Sequence, residues 1–272
     1  MNRPEMDIPR IAHQNLLCEA RARELRERNV ELRSWAAGNS VIAHGSETQC
    51  RVHDLVDRLA DAKSGISEKD LYRLFAAADD IASAAMWAVA HMTYAQQVHV
   101  DGRPLEHLDF KTSPEGHTGG SLNMVPAYVG YMLANAITGV TRSWIMGQGH
   151  CVAAIEAVNI LTRNLTPKQE VRYPWTDEGL TNLVTDFYGY AIDAEGRPAG
   201  LVGSHVNANT AGGISEGGYL GFAEVEYVHM PLKNERLVAF LSDGAFEEQR
   251  GSDWVPRWWR HEDSGLVSPI MI

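Results

Sequence analysis

The sequence predicts an α/β domain with a parallel sheet flanked by helices, preceded by a helical region. Three observations carry this. Apolar positions recur at helical spacing through the first part of the chain. After His99 glycine becomes frequent, and short apolar segments alternate with glycine-rich turns. Leu237-Val238-Ala239-Phe240-Leu241 is a continuous apolar run of the kind found in buried parallel strands, and it stops sharply at Ser242-Asp243-Gly244. The boundary falls near residue 100, giving a helical N-terminal region over 1–100 and an α/β domain over 101–272.

In the N-terminal region, Ala12 to Arg33 is charged and amphipathic and predicts one helix, and His53 to Ala62 predicts a second. The third is the clearest. Ser67 and Asp70 stand at the spacing of a capping box. Leu71, Leu74, Phe75, Ala78, Ile81, Ala82, Ala85, Met86 and Val89 then form a broad, alanine-rich stripe suited to close helix packing, which reads as structural core. Further on, Val125 to Ile137 predicts a buried helix. Ser143 to Met146 predicts a short strand ending in Gly147-Gln148-Gly149-His150, and Val152 to Leu161 a helix. Ile270-Met271-Ile272 is strand-like. Strand, polar glycine turn and helix in succession is an α/β rhythm, and ligands in such folds bind at the carboxyl ends of the strands.

Composition narrows the function. A net charge of -11 argues against a nucleic-acid partner, since neutralising phosphates needs clustered Lys and Arg. A small anionic substrate remains compatible, because a few local cations suffice. Cys18, Cys50 and Cys151 are widely spaced, with no CxxC pair, so neither a disulfide framework nor a cysteine zinc site is expected, and a reducing, cytoplasmic location is. No apolar run approaches a membrane span, and no hydrophobic signal region opens the chain.

Three segments join glycine to histidine: Gly116-His117-Thr118-Gly119-Gly120, Gly147-Gln148-Gly149-His150 and Gly203-Ser204-His205. Glycine lets backbone approach a ligand, and histidine exchanges protons near neutral pH. One such pairing is commonly just a loop; three in one domain shift the balance toward a site. Thr210-Ala211-Gly212-Gly213-Ile214-Ser215-Glu216-Gly217-Gly218 could cradle a phosphate on backbone N–H groups, although it lacks the Lys of a P-loop. Asp243, at the end of a buried strand and followed by Gly244, is placed either to hold Mg2+ or to cap the following helix.

The ordered set GHTGG (116–120), GQGH (147–150), SHVNANTAGGISEGG (204–218) and SDG (242–244) resembles the N-terminal half of the xylulose-5-phosphate/fructose-6-phosphate phosphoketolases, from about Leu105 onward. The resemblance implies a fold that binds thiamine diphosphate (ThDP) and Mg2+. It implies that His117, His150 and His205 bind the sugar phosphate and move protons. It also implies that Gly147, Gly218, Asp243 and Gly244 meet the cofactor, with Asp243 as the metal ligand. Four positions depart from the pattern: Ser242 for Gly, Ala245 for Glu, Ser215 for His and Gly120 for Thr. They bear on substrate choice more than on cofactor binding.

The implied reaction cleaves a ketose phosphate with inorganic phosphate to acetyl phosphate and an aldose phosphate. Transketolase-like and sugar-phosphate epimerase activities are the alternatives within the same resemblance. The resemblance further places the Asn that completes the magnesium site just past Ile272, and a pyrimidine-binding domain beyond it. The expectation is therefore half of an enzyme (a split-gene subunit, a truncated product or a degenerate fragment), active as a homodimer or by pairing with a chain that carries the pyrimidine-binding domain. Two rival classes stand beside it. A zinc hydrolase would use the three histidines, whose wide separation does not suggest a zinc motif. A non-catalytic interaction protein would use Trp254, Trp258 and Trp259 as a partner surface; the preferred alternative is that these pack under the part of the sheet expected beyond Ile272.

Overall fold

The computed structural model describes residues 8–61, 65–140, 142–146, 151–196, 237–241 and 267–271. In order, the elements are α1 (Ile8–Arg28), α2 (Val30–Ala36), α3 (Ser46–Asp61), α4 (Glu68–Tyr94), α5 (Thr118–Thr138), β1 (Ser143–Met146), α6 (Val152–Leu161), α7 (Pro167–Arg172), α8 (Asp177–Asp186), β2 (Leu237–Leu241) and β3 (Val267–Met271). They divide into two compact units, one of Met1–Ser83 with Ala136–Thr138, the other of Ala84–Asn135 and Gly139–Ile272.

The first unit is helical, as expected of the N-terminal region. The single helix expected over Ala12 to Arg33 is two helices. Asn29 takes an extended backbone (φ -116°, ψ 110°) and caps α2 by accepting from the Leu32 N–H at 2.8 Å. A side chain that competes with the backbone for N–H groups ends one helix and starts the next. The helix expected from His53 begins seven residues earlier, at Ser46. Its first turns carry little apolar periodicity and are held by polar contacts instead. Gln49 is buried, donates to the His44 carbonyl at 2.7 Å and accepts from Arg26. Leu32, Trp35, Val56, Leu71 and Tyr72 form the core, with Leu25, Val52, Leu59 and Phe75 packed around them. Ser67 caps α4 as its spacing predicts: its hydroxyl oxygen accepts from the Asp70 N–H at 3.2 Å and donates to the Asp70 carboxylate at 2.7 Å.

The second unit contains a three-stranded parallel sheet in the order β1-β2-β3. Ser143 pairs with Leu237 and Met146 with Phe240, and Leu241 pairs with Met271. Parallel strands require long crossovers, which is why β1 and β2 can be far apart in sequence. Phe240 is fully buried, with its ring centroid 6.2 Å from Tyr128, 6.0 Å from Tyr131 and 6.0 Å from Trp144, each edge-on. Tyr128 and Tyr131 share one face of α5, so this helix packs on the sheet. Helix α6 is buried from Val152 to Ile160 and is apolar there except for Glu156 and Asn159. Within it Asn159 accepts from the Tyr128 hydroxyl and from the Asn164 side chain, both at 3.1 Å. No helix among the described residues is long and apolar enough to cross a membrane.

Candidate functional site

Helix α5 starts seven residues before the Val125 expected from sequence, and its first turn is the GHTGG segment itself. What reads as a glycine loop is thus a helix N-terminus. His117 is its N-cap. The Gly120 N–H donates to His117 Nδ1 at 3.1 Å, so an imidazole nitrogen plays the part that a Ser or Asp oxygen usually plays. His117 is exposed. The free N–H groups of a helix N-terminus and its positive end favour an anion beside it.

The surroundings of this turn explain its glycines. Gly116 has φ +133°, and a Cβ there would lie 3.0 Å from both the Phe187 ring and Thr93 Oγ1. Thr118 donates to Thr93 at 3.0 Å, tying the start of α5 to the end of α4. A Cβ on Gly120 would lie 2.6 Å from His117 Nδ1 and 2.7 Å from Cys151 Sγ, so the imidazole and the thiol are neighbours. Cys151 is the N-cap of α6 and directly follows His150 in the chain. Burial pushes its thiol up to about 12, which leaves it inert as a nucleophile at neutral pH.

Two features of this neighbourhood carry no sequence signal of their own. Lys111 is a lone cation in a Ser/Thr/Pro-rich loop. It donates to the Met92 carbonyl at 2.7 Å and lies 5.6 Å from the centre of the Phe187 ring. Burial lowers its pKa to about 8, with Glu115 acting in the opposite direction. Tyr188 and Tyr190 follow Phe187 with φ of 57° and 51°, a left-handed backbone that bulky residues rarely adopt. Burial, and after it the nearby Glu115 carboxylate, raises the Tyr190 pKa. Strained residues beside the His117 turn are the kind of local cost that clusters at functional sites.

The other residues expected at the site, His150, His205, Gly147, Gly218, Asp243 and Gly244, lie outside the described residues. What the sheet does establish is where the chain leaves it. β1 ends at Met146, directly before Gly147, and β2 ends at Leu241, directly before Ser242-Asp243-Gly244. The two strands are adjacent and parallel, so both end at the same carboxyl edge of the sheet. Among the described residues, no group of three His, Cys, Asp or Glu side chains could hold a metal ion.

A family model described as the XFP N-terminal domain matches residues 71–259, reaching back into α4. A protein of Schizosaccharomyces pombe described as a probable phosphoketolase is 32% identical over 180 residues. That match covers 62% of this chain and 20% of the relative, so the chain spans about a fifth of the length of the curated relative it matches. No solved structure matches.

Proposed function

The chain belongs to the XFP N-terminal domain family, the N-terminal part of the phosphoketolases, and on that premise we propose that it forms the diphosphate-binding part of a ThDP- and Mg2+-dependent phosphoketolase-like enzyme. The enzyme converts a ketose phosphate, xylulose 5-phosphate or fructose 6-phosphate, and inorganic phosphate to acetyl phosphate, an aldose phosphate and water. The observation that carries the reading is the match over 71–259, which contains all four motifs in their order. The sheet supports it. Two of those motifs follow directly from neighbouring parallel strands at their shared carboxyl edge, where α/β folds bind ligands.

The donor chemistry fits the cofactor. Asp243 and Gly244 would serve the magnesium ion and the diphosphate, a hard carboxylate oxygen for a hard cation and a side-chain-free turn for close approach. Gly147 and Gly218 would pack against the cofactor. Bound thiamine supplies the carbanion chemistry for carbon–carbon cleavage. The chain's own residues bind and orient the sugar phosphate. His117 stands at the positive end of α5 and stabilises negative charge on a substrate oxygen. His205 and His150 hold and move protons, with His150 assisting the loss of water. The pyrimidine-binding half of the site would come from a partner carrying that domain, and the assembly would work in the cytoplasm.

The test is acetyl phosphate formation from xylulose 5-phosphate, inorganic phosphate, ThDP and Mg2+, with a pyrimidine-binding chain supplied. Acetyl phosphate that falls about 100-fold or more in His205→Asn supports the proposal. Turnover that needs an aldose acceptor and yields no acetyl phosphate overturns it in favour of a transketolase-like activity.

A further inference from the structure

We infer that Gly120 is a positioning residue that holds His117 in the tautomer with its proton on Nε2. The starting point is the cap itself. The Gly120 N–H donates to Nδ1 at 3.1 Å, and an N–H can donate only to a nitrogen that carries no proton. A neutral imidazole with Nδ1 so engaged has its proton on Nε2.

In this chain a side chain at position 120 would displace its neighbours. Gly119, its neighbour in the same turn, has nothing within 4 Å of an added Cβ. At Gly120 the same atom would stand 2.6 Å from His117 Nδ1 and 2.7 Å from Cys151 Sγ, closer than real Cβ contacts allow. Glycine inside a helix is less favourable than alanine. At Gly120 that cost coincides with the one arrangement that seats the imidazole on the helix amide. Cys151, buried at the start of α6, closes the other side of the same space.

The consequence separates two roles that a histidine at such a site could have. With Nδ1 committed to the helix, the ring's proton lies on Nε2, a position that donates and has no lone pair with which to take a proton. His117 then stabilises a developing negative charge, and the proton acceptor is another group. This deepens the phosphoketolase-like reading and rests on it for the identity of the substrate. The tautomer itself is a property of the chain alone.

The experiment is long-range 1H–15N NMR on the full chain labelled with 15N-histidine, without cofactor or substrate, with the His117 signals assigned by their loss in His117→Gln. The expected result is an unprotonated Nδ1, a protonated Nε2 and a scalar coupling across the Gly120 N–H···Nδ1 bond. In Gly120→Ala the coupling is lost and the ring moves to a tautomer mixture. Gly120→Ala/Cys151→Ala removes the thiol obstacle and keeps the imidazole one, so the same change is expected where the single variant folds poorly. A wild-type ring protonated on Nδ1 overturns the inference, as does an unchanged tautomer in a folded Gly120→Ala chain. Absence of acetyl phosphate in the activity assay would sink the proposed reaction and leave this result standing.

Discussion

Lys111 carries a charge into a half-buried position, and its pKa falls from the ordinary 10.5 to about 8 because burial disfavours the ammonium. Between these values the unfolded chain binds more protons than the folded one. Stability therefore rises with pH from about 8 toward 10.5, and below about 8 the cost of the buried charge is fully present. Lys111→Met is expected to flatten that rise, which urea unfolding at pH 7, 9 and 10 checks; an unchanged slope would show that Lys111 is not the group responsible. Nothing in the Phe110-Lys111-Thr112 stretch announces this, because burial of a lone lysine depends on the Phe187 ring and the Met92 carbonyl brought to it by folding.

At the scale of elements, Asp79 of α4 joins α2 and the turn after it to the long helix. Its carboxylate accepts from Trp35 Nε1 at 2.9 Å, from His44 Nε2 at 2.9 Å and from the Asn39 side chain at 3.3 Å. The Trp35 and His44 rings also stack, with centroids 4.6 Å apart. Asp79 is 8% exposed, so its removal strands three donors in a place water hardly reaches. Asp79→Ala is expected to lower the unfolding free energy by about 3 kcal/mol, read by urea denaturation with Trp35 fluorescence as probe. A loss below about 1 kcal/mol would mean that water replaces the carboxylate. Among the elements, α4, β1, α6 and β2 were legible because each is an apolar pattern of its own bounded by a cap or by glycine. The break at Asn29, the early start of α3 and the first turn of α5 were not. Each depends on a side chain that satisfies backbone or neighbouring polar groups, and hydrophobic periodicity does not register that.

Across the whole molecule, Phe240 is the residue on which distant segments converge. It sits in β2 and packs against Tyr128 and Tyr131 of α5 and Trp144 of β1. Phe240→Ala is expected to cost about 3–5 kcal/mol. It should also change Trp144 fluorescence and weaken every function that relies on the carboxyl edge of the sheet. A variant as stable as the parent in thermal and urea unfolding would show that this edge is not held by the aromatic cluster. Family membership, by contrast, was readable in the motifs alone, from about Leu105 onward, and the family model extends the likeness to Leu71.

The sequence by itself determined which segments are helices and strands where apolar spacing is regular, and which family the chain belongs to, because both are written in the order and type of residues. Only the tertiary structure decided that β1 and β2 are parallel neighbours in register, that the GHTGG segment is a helix start capped by His117, and that Gly120 lies against both an imidazole and a thiol. The physical reason is that pairing, burial and close approach are relations between residues far apart in the chain. They come into existence only when the chain folds.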